Sequence, residues 1–205
     1  MKTAALPGAI RAERRTHNHQ HVNLKEHLVA IAVIVAEAPP GAVMLRIGDH
    51  AVLIDRSDLD LVSSRKWQIH RHPRTGKLYA RAGGGVMMHR LILGTPKGLD
   101  TDHIDGNSLN NRRSNLRTAT RSENNANRVK HSQHAGRPTT SQFKGVTWDR
   151  EKRRWRAAIR VDGRAQRLGR FDDEFDAARA YNVAALAQWG PFARLNVLPD
   201  EVTNL

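Results

Sequence analysis

Residues 88–128 contain the side chains that hydrolysis of a phosphodiester bond requires. Asp102 and His103 are adjacent, Asn115 follows in a polar stretch, and Asn124 lies in a later run of Glu and Asn. Histidine titrates near neutral pH and can take a proton from an attacking water. Aspartate and asparagine supply hard oxygen ligands for Mg²⁺, and such an ion neutralises charge on the scissile phosphate. The segment therefore favours metal-assisted cleavage of a phosphodiester.

Other interpretations of this segment start from its turn-forming residues. Asp105-Gly106-Asn107 is typical of a turn. The stretch 102–107 resembles a calcium loop in composition, but it lacks the alternating acidic ligands and the closing Glu of an EF-hand. Neighbouring residues of a regular strand point to opposite faces. Asp102 and His103 can therefore serve one site only if the strand ends near Asp102.

The segment resembles the phage-type HNH endonucleases of the ββα-metal fold. The likeness covers roughly residues 45–128 and is densest from His89 onward. It implies a hairpin, with Thr118–Thr120 on its second strand, and a short helix over Ser122–Arg128. The sequence departs from the three-letter family name, because asparagine stands where the third histidine would be. Asparagine is a variant in this branch and still offers an oxygen ligand.

The resemblance also implies a role for each polar residue of the motif. His103 would be the general base, and Asp102 would bind the metal. Asn115 would hydrogen-bond the His103 ring and fix its orientation. Asn124 would be the second metal ligand, with neighbouring Asn125 as the alternative. A decayed copy of the family, without activity, is the competing interpretation.

Several basic residues of the same region are candidates for contacts with DNA. His89 opens the family motif and would contact DNA or buttress the site, with a structural histidine as the alternative. Arg112 and Arg113 are candidate phosphate contacts, as are Arg90 and Arg117. A solvated basic surface is the alternative for all four arginines.

The composition limits which binding partner and which metal ion are expected. The formal net charge is +14 and the pI is about 11.2, which makes a polyanion the expected partner, double-stranded DNA above all. The chain contains no cysteine, so disulfides, thiolate catalysis and Cys-ligated zinc are excluded. A divalent metal held by oxygen or imidazole remains, and Mg²⁺ is expected.

The N-terminal part reads as an extension followed by short strands. The run Leu28–Ala36 is too short to span a membrane and predicts either a buried strand or a short helix. His17-Asn18-His19 spells the family name by accident and receives no catalytic role. No signal peptide is recognised and no membrane partner is expected, so the protein is expected in the cytoplasm of a bacterium or phage-infected bacterium.

Residues 41–88 are expected to form two hairpins with a helical turn between them. The first has Gly48-Asp49 as its turn, and the second turns at 73–76. Ser57, three residues before Asp60, predicts a capped helical turn. The strands of the two hairpins are predicted over Ala42–Ile47, Ala51–Ile54, Trp67–His70 and Leu78–Arg81.

Residues 142–196 change character and predict a sheet packed on a helix. Asp162-Gly163 is a strong hairpin signal, and Asp173 is the candidate N-cap of a helix over about Glu174–Gln188. Trp155, Ala157 and Ile159 alternate with basic residues, so one face can pack on the helix and the other can face DNA. The three strands are predicted over Phe143–Trp148, Trp155–Val161 and Gln166–Phe171.

This region is similar to the APETALA-two (ethylene-response-factor) DNA-binding domain. The likeness runs over residues 142–196, through the motifs FKGV, WRA, LGRF, AARAY and ARLN. It implies DNA-facing roles, in decreasing order of preference, for Lys144, Arg156, Arg160 and Arg167, and then for Thr147, Trp148 and Arg154. Thr147 and Ala158 stand where the plant proteins carry base-reading charged residues, and Arg167 stands where they carry tryptophan. The plant target sequence is therefore not transferred.

Together these patterns predict an α+β protein and a homing or mobile-element nuclease. The predicted domains are an extension (1–40), an HNH domain (41–128, with its ββα-metal core at about 89–128), a linker (129–141), an APETALA-two-like domain (142–196) and a tail (197–205). A non-catalytic DNA-binding regulator is the alternative function, and a ribosome-type RNA binder is a third. The sequence is compatible with a monomer and leaves the oligomeric state open.

Overall fold

The computed structural model describes residues 32–34, 38–130, 133–134 and 137–199. It confirms the α+β class, with small antiparallel sheets and a C-terminal three-stranded sheet packed on one helix. His17-Asn18-His19 and most of the run Leu28–Ala36 lie outside the described residues. Within the described part, no helix has the length and apolar character needed to cross a membrane.

The N-terminal sheet contains the first predicted hairpin and one further strand. Its order is β1-β2-β3, with β1 at Ala32–Ile34, β2 at Ala42–Ile47 and β3 at His50–Asp55. The turn at Gly48-Asp49 lies where it was predicted. Alternate side chains of β2 and β3, including Leu45 and Ile54, are fully buried in the core of this part. Strand periodicity thus places one face of the hairpin inside.

A helical turn follows β3, but Ser57 does not cap it. A 3₁₀ turn at Arg56–Asp58 leads into α1 at Leu59–Ser63, and the N-cap positions are Asp55 and Asp58. Neither aspartate bonds the helix backbone through its side chain, because both carboxylates bind arginines of the later loop. Ser57 itself lies inside the 3₁₀ turn and not at an N-cap position, so the prediction of a Ser57 cap was wrong.

Two ion pairs join that turn to the loop that contains Arg112 and Arg113. Arg112 Nε lies 2.8 Å from Asp55 Oδ1. Arg113 binds both oxygens of Asp58, whose side chain is buried. A buried carboxylate needs such a partner, because an isolated charge is costly to bury. The two arginines therefore fasten the loop to the N-terminal sheet.

The second hairpin leads through a short helix into a ββα unit. The hairpin turns at 73–75, as predicted. Helix α3 begins one residue before the predicted start because Thr120 and Glu123 form a capping box. The elements are β4 at Trp67–Arg71, β5 at Leu78–Ala82, α2 at Met88–Leu93, β6 at Asp100–His103, β7 at Leu116–Ala119 and α3 at Arg121–Ala126.

The predicted linker contains a short strand pair, β8 at Gln133–His134 and β9 at Arg137–Pro138. Before it, Lys130 Nζ donates hydrogen bonds to the carbonyl oxygens of Phe143 and Val146 at 2.6 and 2.9 Å. The start of the linker is thereby attached to the C-terminal part.

The C-terminal sheet has the order β10-β11-β12, with β10 at Val146–Asp149, β11 at Arg154–Val161 and β12 at Arg164–Phe171. Helix α4, Glu174–Trp189, is capped by Asp173 as predicted, through hydrogen bonds from two backbone N–H groups. Ala157 and Ile159 of β11 are buried against this helix. The predicted two-faced sheet is confirmed.

Strand β10 begins at Val146 rather than at the predicted Phe143. The side chain of Asn196 accepts a hydrogen bond from the Lys144 N–H and donates one to the Lys144 carbonyl. The backbone of Lys144 is therefore bound by Asn196 instead of by a neighbouring strand.

Gly145 sits where the backbone crosses the ring of Tyr181. Its φ is +77°, and a Cβ added there would lie 2.0 Å from Tyr181 Cδ2 and 2.7 Å from the Ala158 carbonyl oxygen. Gly163 has a similar φ of +80° but meets no atom within 4 Å. Gly145 and Gly163 share a left-handed backbone conformation, but only Gly145 has atoms close to the position of an added Cβ. Comparing substitutions at the two positions therefore separates the effect of steric overlap from that of backbone conformation.

We expect Gly145→Ala to lower the free energy of unfolding by more than about 3 kcal/mol, because ring and carbonyl must move apart. Gly163→Ala is the control and should cost only about 1 kcal/mol, the price of a left-handed alanine. Urea unfolding followed by circular dichroism measures both. Equal losses would show that the close approach to Tyr181 is not what requires glycine.

Arg113→Ala should lower the free energy of unfolding by about 2 kcal/mol, because the buried carboxylate of Asp58 loses its partner. Arg65→Ala is the matched control, since the structure shows Arg65 exposed. Thermal and urea unfolding give the comparison. Equal stability of the two variants would contradict a structural role for Arg113.

Candidate active site

The ring of His103 is enclosed at the end of β6. Its Nε2 lies 3.1 Å from Asn111 Oδ1, and the rings of His89 and Tyr79 have centroids 5.1 and 6.3 Å away. An amide oxygen only accepts hydrogen bonds, so Nε2 carries the proton in this pairing. Nδ1 then holds the lone pair. In this arrangement a single ring nitrogen of His103 can accept a proton.

Asn111, and not Asn115, holds the His103 ring. Asn111 is completely buried, and its backbone N–H donates to the Leu53 carbonyl at 2.7 Å. Its Nδ2 lies 3.6 Å from Met88 Sδ, which leaves Oδ1 directed at the ring. The prediction did not include this residue, and the pair Asn110-Asn111 beside the motif was the available signal.

The amide of Asn115 instead shapes the loop after His103. Its Oδ1 accepts from the Asp105 N–H at 3.0 Å, and its Nδ2 donates to Asp105 Oδ1 and to the Asn110 carbonyl. With these bonds formed, the side chain cannot also orient the ring. The ring-fixing role predicted for Asn115 is therefore corrected to a loop-fixing one.

Burial lowers the pKa of both histidines of the site. For His103, burial acts against the hydrogen bond to Asn111 and the charges of Asp105 and Asp102, which raise its pKa. For His89, burial lowers the pKa to about 3, with smaller contributions from His103 and Arg90. A lowered pKa favours the neutral form of each ring at neutral pH. A neutral His103 can accept a proton.

His89 is buried beside His103 and does not form part of the surface. Only 8% of the residue is exposed, and its ring meets the His103 ring edge to face. A DNA contact was one of the roles predicted for it. Its position fits the two other interpretations, a buttress for the ring of His103 and a structural histidine.

The carboxylate of Asp102 lies in a buried polar cluster on β6. Arg117 donates to Oδ2 from Nε at 2.8 Å, and its Nη2 is 2.7 Å from the same oxygen. Asn127 Nδ2 lies 3.0 Å from Oδ1 and also donates to the His103 carbonyl. Asp102 and His103 are the last two residues of β6, so the strand ends as the shared site requires.

Asn127, rather than Asn124, is the asparagine that the structure brings to Asp102. Asn124 Nδ2 donates to Asp100 Oδ2 at 2.9 Å, and Asp100 lies two residues before Asp102 on β6. Asn125 accepts from Arg128. Asn127 is the C-cap of α3, where the chain turns back towards β6. It belongs to the same Asn-rich run, but spacing alone did not single it out.

The oxygen donors at Asp102 suit a hard divalent cation. Among the described residues no three His, Cys, Asp or Glu side chains cluster around a metal position. Asp102 and Asn127 nevertheless adjoin, and the oxygens of the Asp102 carboxylate and of the His103 and Ile104 carbonyls converge on Asn127 Nδ2. Mg²⁺ commonly takes one or two protein oxygen ligands and completes its shell with water and phosphate. The residues present fit such an ion.

A groove of about 380 Å³ runs beside this cluster, between the β4–β5 hairpin and α3. Lys77 and Tyr79 reach it from the hairpin, and Arg121 and Arg128 from the helix side. Burial is the main cause that lowers the pKa of Lys77. Neither Lys77 nor Tyr79 was among the predicted site residues. The sequence feature that could have identified Lys77 and Tyr79 is the hairpin turn that precedes the motif.

Most of the basic residues predicted to contact DNA from the C-terminal sheet are exposed. Arg156, Arg160 and Arg167 project from β11 and β12 into solvent. Arg154 is ion-paired with Asp172, and Trp148 packs against Trp155 with ring centroids 5.0 Å apart.

Lys144 is placed differently from those residues. Its Nζ donates to the Ala126 carbonyl oxygen of α3, and burial lowers its pKa to about 8. Lys144 therefore joins the two parts of the chain, and the open sheet face does not include it. Arg112 and Arg113 are likewise engaged by Asp55 and Asp58, which favours a structural role over the predicted phosphate contact.

A second cleft, of about 640 Å³, separates α3 from the C-terminal sheet. It shares Arg121, Asn125 and Arg128 with the first groove, so the two openings meet along α3. Arg160 lines its far side. The arrangement forms one basic path from the hairpin to the sheet.

The comparisons with known proteins agree with this geometry. The HNH endonuclease family profile matches residues 87–126. Protein 3.8 of Escherichia phage T7 is 39% identical over 69 residues, 34% of this chain and 53% of the phage protein. The chain thus spans about half of that relative. An AP2-like ethylene-responsive transcription factor of Arabidopsis thaliana is 40% identical over 65 residues, 32% of this chain and 15% of the plant protein.

The longest similarity is to an uncharacterized HNH endonuclease of Acanthamoeba polyphaga mimivirus. It is 31% identical over 142 residues, which cover 66% of this chain and 69% of the viral protein. No solved structure matches. The plant factors match the C-terminal region, where the sheet and helix α4 lie. Since the viral relative and the family profile converge on the Asp102-His103 segment and its ββα unit, the chain belongs to the HNH endonuclease family.

Proposed function

We propose that this chain cuts double-stranded DNA with His103 as general base and a divalent metal at Asp102. The observation that carries the proposal is the enclosed His103 ring, whose Nε2 bonds Asn111 while Nδ1 is left as the base. The carboxylate of Asp102 and the side-chain amide of Asn127 adjoin the same strand end. HNH endonucleases generally use a divalent metal, and Mg²⁺ is the ion proposed here.

In the proposed mechanism, Nδ1 of His103 takes the proton from the attacking water as the water adds to phosphorus. The hydrogen bond to Asn111 holds the ring in one tautomer, and His89 packs against its face. A bound divalent cation would supply charge stabilisation at the phosphate and the leaving oxygen. Asp102 and Asn127 would hold it, with Asn124 as the ligand that the family resemblance favours.

The basic path along α3 is proposed as the route of the DNA backbone. Lys77 and Arg128 would meet phosphates near the site, because they line the groove beside it. Arg156, Arg160 and Arg167 would bind the duplex from the C-terminal sheet, as β-ribbon readers do. Basic residues on a continuous surface gain affinity by releasing counterions from DNA.

The domain limits proposed from the sequence fit this division of labour. Residues 41–128 would cleave DNA and residues 142–196 would position it, with 129–141 as the connection. We further propose a homing or mobile-element nuclease that works inside a bacterial or phage-infected cell, in line with the similarity to a phage protein. The second candidate function is a non-catalytic DNA-binding regulator, which the similarity to plant transcription factors favours.

The wild-type protein should nick or linearise supercoiled plasmid or phage DNA in Mg²⁺, and EDTA should stop it. His103→Ala should slow cleavage by about 10² to 10⁴-fold, the usual contribution of a general base. Agarose-gel kinetics measure the rate, and gel-shift titration in EDTA measures DNA binding. His50→Ala, on β3, is the matched histidine control.

Undiminished cutting by His103→Ala would rule out the general-base role. Tight binding without cutting, on DNA that includes the natural host genome, would favour the alternative function of a non-catalytic DNA-binding regulator. Loss of both binding and cutting in His103→Ala, with a lowered melting temperature, would point to misfolding instead. The Asn111→Ala variant then gives an independent check, because it leaves the imidazole in place.

Asn127→Ala should weaken cleavage at limiting Mg²⁺ more than Asn124→Ala does, because Asn127 adjoins Asp102 and Asn124 bonds Asp100. We expect a loss of about 10 to 100-fold for Asn127→Ala, of the size found when a metal site loses a supporting residue. The measurement is cleavage rate against Mg²⁺ concentration. The reverse order of the two variants would restore Asn124 as the second ligand.

A further inference from the structure

We propose that the C-terminal part completes the nuclease site by fixing Arg117, the residue that positions Asp102. The inference rests on the proposed function of Asp102 as a metal ligand. The observation behind it is that both halves of the Arg117 guanidinium are occupied, one by the catalytic strand and the other by the 3₁₀ turn at Gly190–Phe192. The C-terminal part would then do more than bind DNA.

Arg117 lies on β7, directly opposite Asp102 in the register of the hairpin. Its Nη1 donates to the Pro191 carbonyl at 2.7 Å, and its Cζ lies 4.1 Å from the centre of the Phe192 ring. The attraction of a guanidinium for an aromatic face grows when the cation is shielded from water. Only 16% of the Arg117 side chain is exposed, so Pro191 and Phe192 act on a shielded cation.

The Arg117 guanidinium contacts only one oxygen of Asp102. Nε and Nη2 both point at Oδ2, at 2.8 and 2.7 Å. Oδ1 instead accepts a hydrogen bond from Asn127 Nδ2 at 3.0 Å, and that nitrogen also lies 3.1 Å from Oδ2. A carboxylate held through one oxygen has its second oxygen aimed in a fixed direction, and residues that orient a ligand in this way tune the metal site. Arg117 is therefore a positioning residue.

Further hydrogen bonds tie the same two parts together around the site. The Arg194 N–H donates to the Ala126 carbonyl at 3.2 Å, and Ala126 directly precedes Asn127. Arg194 Nη1 donates to the Asp105 carbonyl at 3.4 Å, in the loop after His103. At the other end of α3, Trp189 Nε1 lies 3.3 Å from Ser122 Oγ. The contacts at Ala126 and Asp105 therefore lie close in sequence to both candidate ligands, Asn127 and Asp102.

The alternative interpretation is that Arg117 competes with the metal for Asp102 and inhibits the enzyme. The geometry favours positioning, since a guanidinium that replaced the cation would also have to occupy the Oδ1 side, next to Asn127. The contacts of Arg117 with Asp102 are confined to Oδ2. The two readings predict opposite effects on metal affinity, which makes them separable.

The test measures Mn²⁺ binding to the full chain without DNA, by electron paramagnetic resonance of free Mn²⁺. Phe192→Leu keeps an apolar side chain but removes the aromatic face, and should weaken Mn²⁺ binding by about 10-fold. Phe192→Tyr keeps the face and should bind as wild type does. Val183→Ala, at an exposed apolar position of α4, is the control for a change elsewhere in the same part.

Arg117→Ala supplies the second arm. It should weaken Mn²⁺ binding at least as much, and in that background Phe192→Leu should have no further effect, because its influence passes through Arg117. The same variants assayed for cleavage should need correspondingly more metal, while DNA binding in EDTA stays close to wild type.

Unchanged or tighter Mn²⁺ binding by Phe192→Leu would overturn the proposal, and the tighter result would establish inhibition by Arg117. A further loss in the double variant would also overturn it. Absence of Mn²⁺ binding by wild type would do the same, since a completed site is expected before DNA arrives. Failure of the wild type to cut DNA, with the Mn²⁺ pattern intact, would remove the proposed function but not the coupling.

Discussion

The site depends on one constraint: polar side chains buried together must satisfy one another. Asp102, His103, Asn111 and Asn127 are each less than a tenth exposed. No buried side-chain nitrogen or oxygen among the described residues lacks a hydrogen-bond partner. In a region shielded from water every unpaired group is costly, so such a network admits few arrangements. The orientation of the base and of the candidate ligand carboxylate follows from that.

Much of the fold could be predicted because its signals are local. Gly48-Asp49 and Asp162-Gly163 are turns in the structure, and Asp173 begins α4. The Asp102-His103 pair also indicated the strand on which the candidate site lies. Which asparagine serves which partner could not be predicted, because a loop of polar residues offers several amides at similar spacing. The tertiary bridge between Leu53 and Asn110 decides that Asn111 points inward and meets His103.

The C-terminal part shows the same limit in another form. Alternation correctly separated the buried face of β11, with Ala157 and Ile159, from its basic face. It did not distinguish basic side chains that are exposed to solvent from those that bind another part of the protein. Lys144 was preferred as a DNA contact, yet its ammonium group lies against the Ala126 carbonyl. Lys144 and Ala126 are distant in sequence, so the local sequence around either residue does not predict this contact.

The contact at Ala126 has a consequence for how such a protein is assembled in evolution. The acceptor is a main-chain carbonyl, which every residue type provides, and two donors of the C-terminal part reach it. A recombined partner domain can therefore dock on α3 without a matching substitution in the helix. Correlated changes between the two halves would be sparse even where they cooperate closely. Grafting a new DNA-reading module onto this catalytic unit would succeed or fail on the donors that the module presents, and on an aromatic ring that can cover Arg117.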